Sequence, residues 1–162
     1  MRMNVFTLPI AAVLASAAMS LEGGTAYANP LGELPGRWSG TGSVRLTNGT
    51  TETVKCVATY FVTGGGTNVA QNLRCASPTY KIDTKANLVV RGGQVTGSWE
   101  ERQYAQTGAV TGRMTSNGFN LQIGGARFTA ALQLTSAACK QSISIAPKGF
   151  DISRISIGLA KC

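Results

Sequence analysis

Histidine is missing from all 162 residues, and acid is scarce: seven Asp and Glu stand against fifteen Lys and Arg, a formal net charge of +8. The first absence excludes the Ser-His-Asp and Cys-His arrangements, in which an imidazole takes the nucleophile's proton. The second leaves few carboxylates for general acid–base chemistry. Glu100 and Glu101 are adjacent on a predicted strand and so point to opposite faces, while Glu33, Glu52, Asp83 and Asp151 fall in turns or on outer faces. No glycosidase-like pair on a shared face results. Zinc is excluded as well, because the four cysteines form no C-x-x-C pair and no imidazole can complete a site. Neither metal nor cofactor is expected, and the chain reads as one that binds rather than catalyses.

A long apolar run is also lacking. The longest, Val5 to Met19, is too short for the ~20 residues of a spanning helix. With Arg2 before it and Ala26-Tyr27-Ala28 after it, residues 1–28 read as a secretory signal peptide. The first cysteine is Cys56, so no lipidated cysteine is expected at the cleavage point. Removal of the leader takes away Arg2 and Glu22 together and keeps the formal +8. A periplasmic or secreted bacterial protein is expected, and in such a compartment four cysteines are most simply two disulfides. Three connectivities are possible; Cys56–Cys75 and Cys139–Cys162 are favoured because each pair sits on one predicted hairpin.

What is present is alternation. From Gly36 to Leu46, Trp38, Gly40, Gly42, Val44 and Leu46 share one face and Arg37, Ser39, Thr41, Ser43 and Arg45 the other. A period of two with one apolar face marks a half-buried β-strand, and glycines on its inner face mark a sheet that bends sharply. Asn48-Gly49 is expected to form a type I′ hairpin turn. Strands over about 51–63 and 68–76 follow, joined by Gly64-Gly65-Gly66-Thr67. Placing Cys56 opposite Cys75 sets Val62 against Val69, Tyr60 against Gln71 and Ala58 against Leu73. All these residues share the inner face, so pattern, turn and disulfide agree. Further short strands run to the C-terminus, with helical turns allowed only at Ala105–Ala109 and Thr135–Lys140. The expected fold is all-β: residues 29–35 as an extended lead-in, then an antiparallel up-and-down meander over 36–162 closing into a single soluble β-barrel of about 8–10 strands. An outer-membrane barrel would need an apolar outer face, but Ser, Thr, Arg, Lys and Gln point outward here.

Gly36-x-Trp38-x-Gly40-x-Gly42 resembles the first-strand motif of calycin-type barrels (lipocalins, avidins, fatty-acid-binding proteins) and of the haem-binding nitrobindins. The resemblance implies a Trp that plugs one end of the barrel beneath a basic side chain from the last strand, for which Arg154 or Lys161 is the candidate. The nitrobindin haem-iron ligand is a histidine, which this chain lacks, so that activity is not carried over.

The candidate binding residues are the inward-facing Trp38, Tyr60, Trp99, Met114, Phe119 and Phe128, with Glu101 on the face of Trp99. Two readings stay open: an aromatic-lined cavity for an apolar or amphipathic small molecule, or aromatics filling the gaps left by glycines. Glu101 either is desolvated and needs a partner, or lies at the strand's end in solvent. The first function expected is a binding protein holding a small hydrophobic molecule, with Glu101 or rim groups orienting its polar end. The alternative is a protein-interaction or protease-inhibitor-like module with a filled core, using Gly64–Asn68 or Asn29–Pro35. The basic surface suits an anionic envelope component; its spread without interleaved aromatics argues against nucleic acid. A monomer or small oligomer is expected.

Overall fold

The computed structural model describes residues 29–162; the expected signal peptide, residues 1–28, lies outside them. A helical turn, α1 (Pro30–Glu33), precedes ten strands: β1 (Gly36–Leu46), β2 (Thr51–Thr63), β3 (Asn68–Ala76), β4 (Lys81–Arg91), β5 (Gln94–Glu101), β6 (Gln106–Thr115), β7 (Gly118–Gly125), β8 (Thr129–Ala137), β9 (Lys140–Lys148) and β10 (Ile152–Ala160). Each strand pairs antiparallel with the next, and β1 pairs with β10 to close the barrel. Closure leaves no unpaired sheet edge.

The inner and outer faces follow the alternation. Val44, Val54, Cys56, Ala58 and Tyr60 are buried within, whereas Arg37, Ser39, Thr41 and Arg45 are exposed without. Apolar-in and polar-out is the inverse of the pattern on a lipid-facing barrel. The β2–β3 register is the expected one, with Cys56 opposite and bonded to Cys75 and Tyr60 opposite Gln71. On β1, a Cβ at Gly40 would lie 2.0 Å from the Gly158 carbonyl oxygen of β10. The sheet bends so tightly there that no side chain fits, which is why glycine stands on the inner face.

Two local expectations need correction, the lead-in and the Asn48-Gly49 turn. The lead-in is not extended: Asn29 caps α1, its Oδ1 accepting from Leu31 N at 3.1 Å, with Pro30 at the first helical position. Both are helix-start preferences, and burial of Leu31 and Leu34 makes the turn worthwhile. Of the two segments that allowed a helical turn, 105–109 and 135–140, neither takes it. Strand pairing outcompetes one isolated helical turn there, and Ala105, Ala138 and Cys139 take positive φ to turn the chain between strands. The Asn48-Gly49 turn is not type I′, since only Gly49 has a positive φ. Gly49 N instead bonds Leu46 O, and Asn48 Oδ1 accepts from Thr50 N, giving a three-residue loop with glycine in the left-handed position.

The Cys139–Cys162 bond forms without a ladder position for Cys162, because the chain leaves β10 after Ala160. Lys161 N donates to Cys139 O at 3.1 Å, so the tail is held to the β8–β9 turn by a covalent and a hydrogen bond.

Candidate ligand-binding site

The barrel's two ends differ because, among the described residues, the chain covers only one. Where β1 begins and β10 ends, α1 folds beneath the strands and buries Leu31 and Leu34 against Trp38, whose exposure is 0 %. Trp38 Nε1 donates to Leu34 O at 2.8 Å, leaving the indole no unsatisfied donor. Lys161 Nζ sits 4.7 Å from the centre of the Trp38 ring and also donates to Glu33 O. A cation over an indole face is attracted by the ring quadrupole. Among the two basic candidates it is Lys161, held by its disulfide-bonded neighbour, that covers the tryptophan.

Above this seal lies a cavity of about 590 Å³. Its wall is mostly aliphatic, including Val69, Leu73, Leu88, Val110, Leu121, Leu132, Leu134 and Ile143. Pockets of a few hundred cubic ångströms with such walls and a few convergent polar groups suit small ligands. Of the seven candidate residues, Tyr60, Trp99, Glu101, Phe119 and Phe128 line the cavity. Trp38 and Met114 do not: the first is the seal itself, and the second packs half-buried against the core beside its register partner Phe119.

The mouth is framed by loops at the opposite end. Trp99 and Phe128 meet edge-on with ring centres 5.1 Å apart, and Phe128 stacks at 4.5 Å on Phe150 from the β9–β10 turn. Trp99 Nε1 donates to Gly124 O at 3.1 Å, which fixes its ring against the wall. On another side Tyr80 and Tyr104 approach to 6.4 Å. Burial, reinforced by Tyr104 and the Glu101 and Glu52 carboxylates, pushes the Tyr80 phenol up to about 12.

Glu101 stands at the end of β5 yet is only 9 % exposed. Its Oε1 accepts from Asp83 N and its Oε2 from Tyr104 N, each at 2.7 Å. The carboxylate thereby pins the β5–β6 turn to β4. Outside it, Asp83 accepts from Arg102 at 2.6 Å, and that guanidinium, with Arg74 beyond it, holds the Asp83 carboxyl below its ordinary value.

No protein-family model matches this chain, and no curated protein matches it either. The geometry carries the functional reading alone.

Near the sealed end the wall becomes polar. Tyr60 Oη donates to Gln141 Oε1 at 2.7 Å and accepts from Gln71 Nε2 at 3.0 Å. Burial raises the Tyr60 phenol well above its ordinary value, and the bonds to Gln71 and Gln141 offset this only in part. The sequence signal for this cluster was its parity: Gln71 shares the parity of Val69 and Leu73, and Gln141 that of Ile143, so both had to point inward. Tyr104 and Phe150 carried no such signal, since both lie in turns outside any alternating run. Among the described residues, no three metal-ligating side chains converge.

Proposed function

We propose that this is an exported, non-enzymatic binding protein that holds one small hydrophobic or amphipathic molecule inside its barrel. The observation that carries this reading is the cavity of about 590 Å³, sealed at one end and walled by apolar side chains. Burying a ligand there removes apolar surface from water at both ligand and wall, a gain of roughly 25 cal/mol per Å² before the costs of association. The aromatic mouth gives an entering molecule broad, rigid contact. Two disulfides and the leader-like N-terminus support an oxidising, extracytoplasmic compartment. The competing interaction module requires a filled core, and the cavity weighs against it.

Native mass spectrometry of the protein purified from the envelope fraction of its source, followed by denaturation, tests the reading. A small molecule released in equimolar amount is the expected result. A protein that emerges empty and also excludes solvatochromic dyes would transfer the weight to a surface-borne function.

A further inference from the structure

Tyr60 and Gln71 are register partners on β2 and β3, and both line the cavity toward its sealed end. The phenol has one hydrogen to give, and it is spent on Gln141. A carboxamide carries two amide hydrogens and an acceptor oxygen. The bond from Gln71 to Tyr60 therefore leaves one Gln71 hydrogen and its Oε1 at the cavity wall. Behind Tyr60, Gln141 is 3 % exposed, and its Nε2 is buried with no hydrogen-bond partner among the described residues. Its register partner Ser136 likewise buries an unpartnered Oγ. This end thus holds more hydrogen-bonding capacity than the chain's own groups use, a surplus that is unfavourable in an apolar surround.

What the cavity wall lacks toward the sealed end, among the described residues, is charge. The charged residues at the cavity wall are Lys85, Glu101 and Asp151. Glu101 closes β5 and Asp151 lies in the β9–β10 turn, both at the mouth. Lys85 alternates with the inward Thr84 and Ala86, and its register partners are Asn72 and Glu100 on the outer face. An ionised head group brought to Tyr60 would meet no counter-charge and would lose its hydration.

Resting on the reading of this cavity as a binding site, we infer that the ligand is an uncharged amphiphile that enters polar end first, its amide or hydroxyl head recognised by Gln71. A primary amide fits best, because it offers Gln71 an acceptor and a donor reciprocally. Gln141 and Tyr60 act as positioning residues that hold Gln71 in place.

Four probes of equal chain length separate the outcomes: dodecanamide, dodecan-1-ol, dodecanoate and dodecylammonium, each competed at pH 8 against a solvatochromic dye bound to the wild-type protein. Dodecanamide is expected to bind at least about tenfold tighter than either charged probe, a difference of one hydrogen-bonded head group or more. Gln71→Leu is expected to weaken dodecanamide about tenfold relative to the dye bound by the same variant. Tyr60→Phe, which frees the Gln71 amide from its tether, is expected to weaken dodecanamide less. Equal or tighter binding of dodecanoate or dodecylammonium overturns the inference and leaves the binding barrel standing. Undiminished dodecanamide binding relative to the dye in Gln71→Leu overturns the assignment to that residue. Failure of the dye and all four probes to bind overturns the binding reading, and this inference with it.

Discussion

At the sealed end Trp38 has no exposed surface, gripped by Leu34 and Lys161, while at the mouth Tyr104 and Phe150 remain 53 % and 42 % exposed. Both ends are aromatic, but they use their rings differently. The sealed end recruits chain from outside the barrel, with α1 on one side and the disulfide-held tail on the other. Among the described residues the mouth receives only short turns, pinned by Glu101 and by the Arg102–Asp83 pair. Stability is concentrated where the chain folds over, and accessibility is kept where it does not. An element left uncovered is free to touch a ligand.

The sharpest way to break this contrast is to truncate a ring at each end. Trp38→Ala is expected to destabilise by roughly 3–5 kcal/mol, as loss of a fully buried aromatic does, whereas Phe150→Ala should stay within about 0.5 kcal/mol. Urea unfolding midpoints give both values, and equal losses would erase the distinction. Next in size is Leu132→Trp, which projects bulk into the cavity from β8. Dye binding should weaken about tenfold or more, with a stability change under about 1.5 kcal/mol. A filled cavity with undiminished dye binding would place the dye elsewhere.

Titration separates two groups, Tyr60 and Asp83. The folded state raises the Tyr60 phenol above its unfolded value of 10.0, chiefly by burial. The neutral form is thus favoured in the barrel, so this contribution is fully present below pH 10 and is lost as pH rises above it, at up to about 1.4 kcal/mol per pH unit. Tyr60→Phe should flatten the alkaline limb of stability against pH, measured by unfolding midpoints between pH 9 and 12. Tyr80 at the mouth shifts the same way as Tyr60, but for Asp83 the sign reverses. Asp83 is held below its unfolded value of 3.8 by Arg102, so its contribution is present above that pH and fades as pH falls through the lowered folded value. The effect is the smallest, since the pair is solvent-screened. Asp83→Asn should unfold slightly more easily than wild type at pH 7 and match it near pH 2.

Much of the fold was legible because its logic is local. Cys56, Ala58, Tyr60 and Val62 share parity, the three glycines after Thr63 mark a turn, and together these dictate the pairing of Cys56 with Cys75. Alpha-helical α1 was misread because two prolines suggest extension, although Asn29-Pro30 is equally a helix start. Trp38 was correctly placed inside, yet its parity could not separate a seal from a ligand wall. Glu101 was legible as inward-facing; that backbone amides of Asp83 and Tyr104 would engage both its oxygens was not.

The sequence by itself determined the strands, their facing and the apolar character of the interior, because a period of two assigns every side chain to one side from its neighbours alone. Only the tertiary structure decided that the interior is hollow and that one end is closed. A cavity is the difference between the circumference set by ten strands and the volume of all the side chains they send inward, and no single strand records that difference. The seal likewise joins residues from opposite ends of the domain, Leu34 and Lys161, which meet on Trp38 only once β1 pairs with β10.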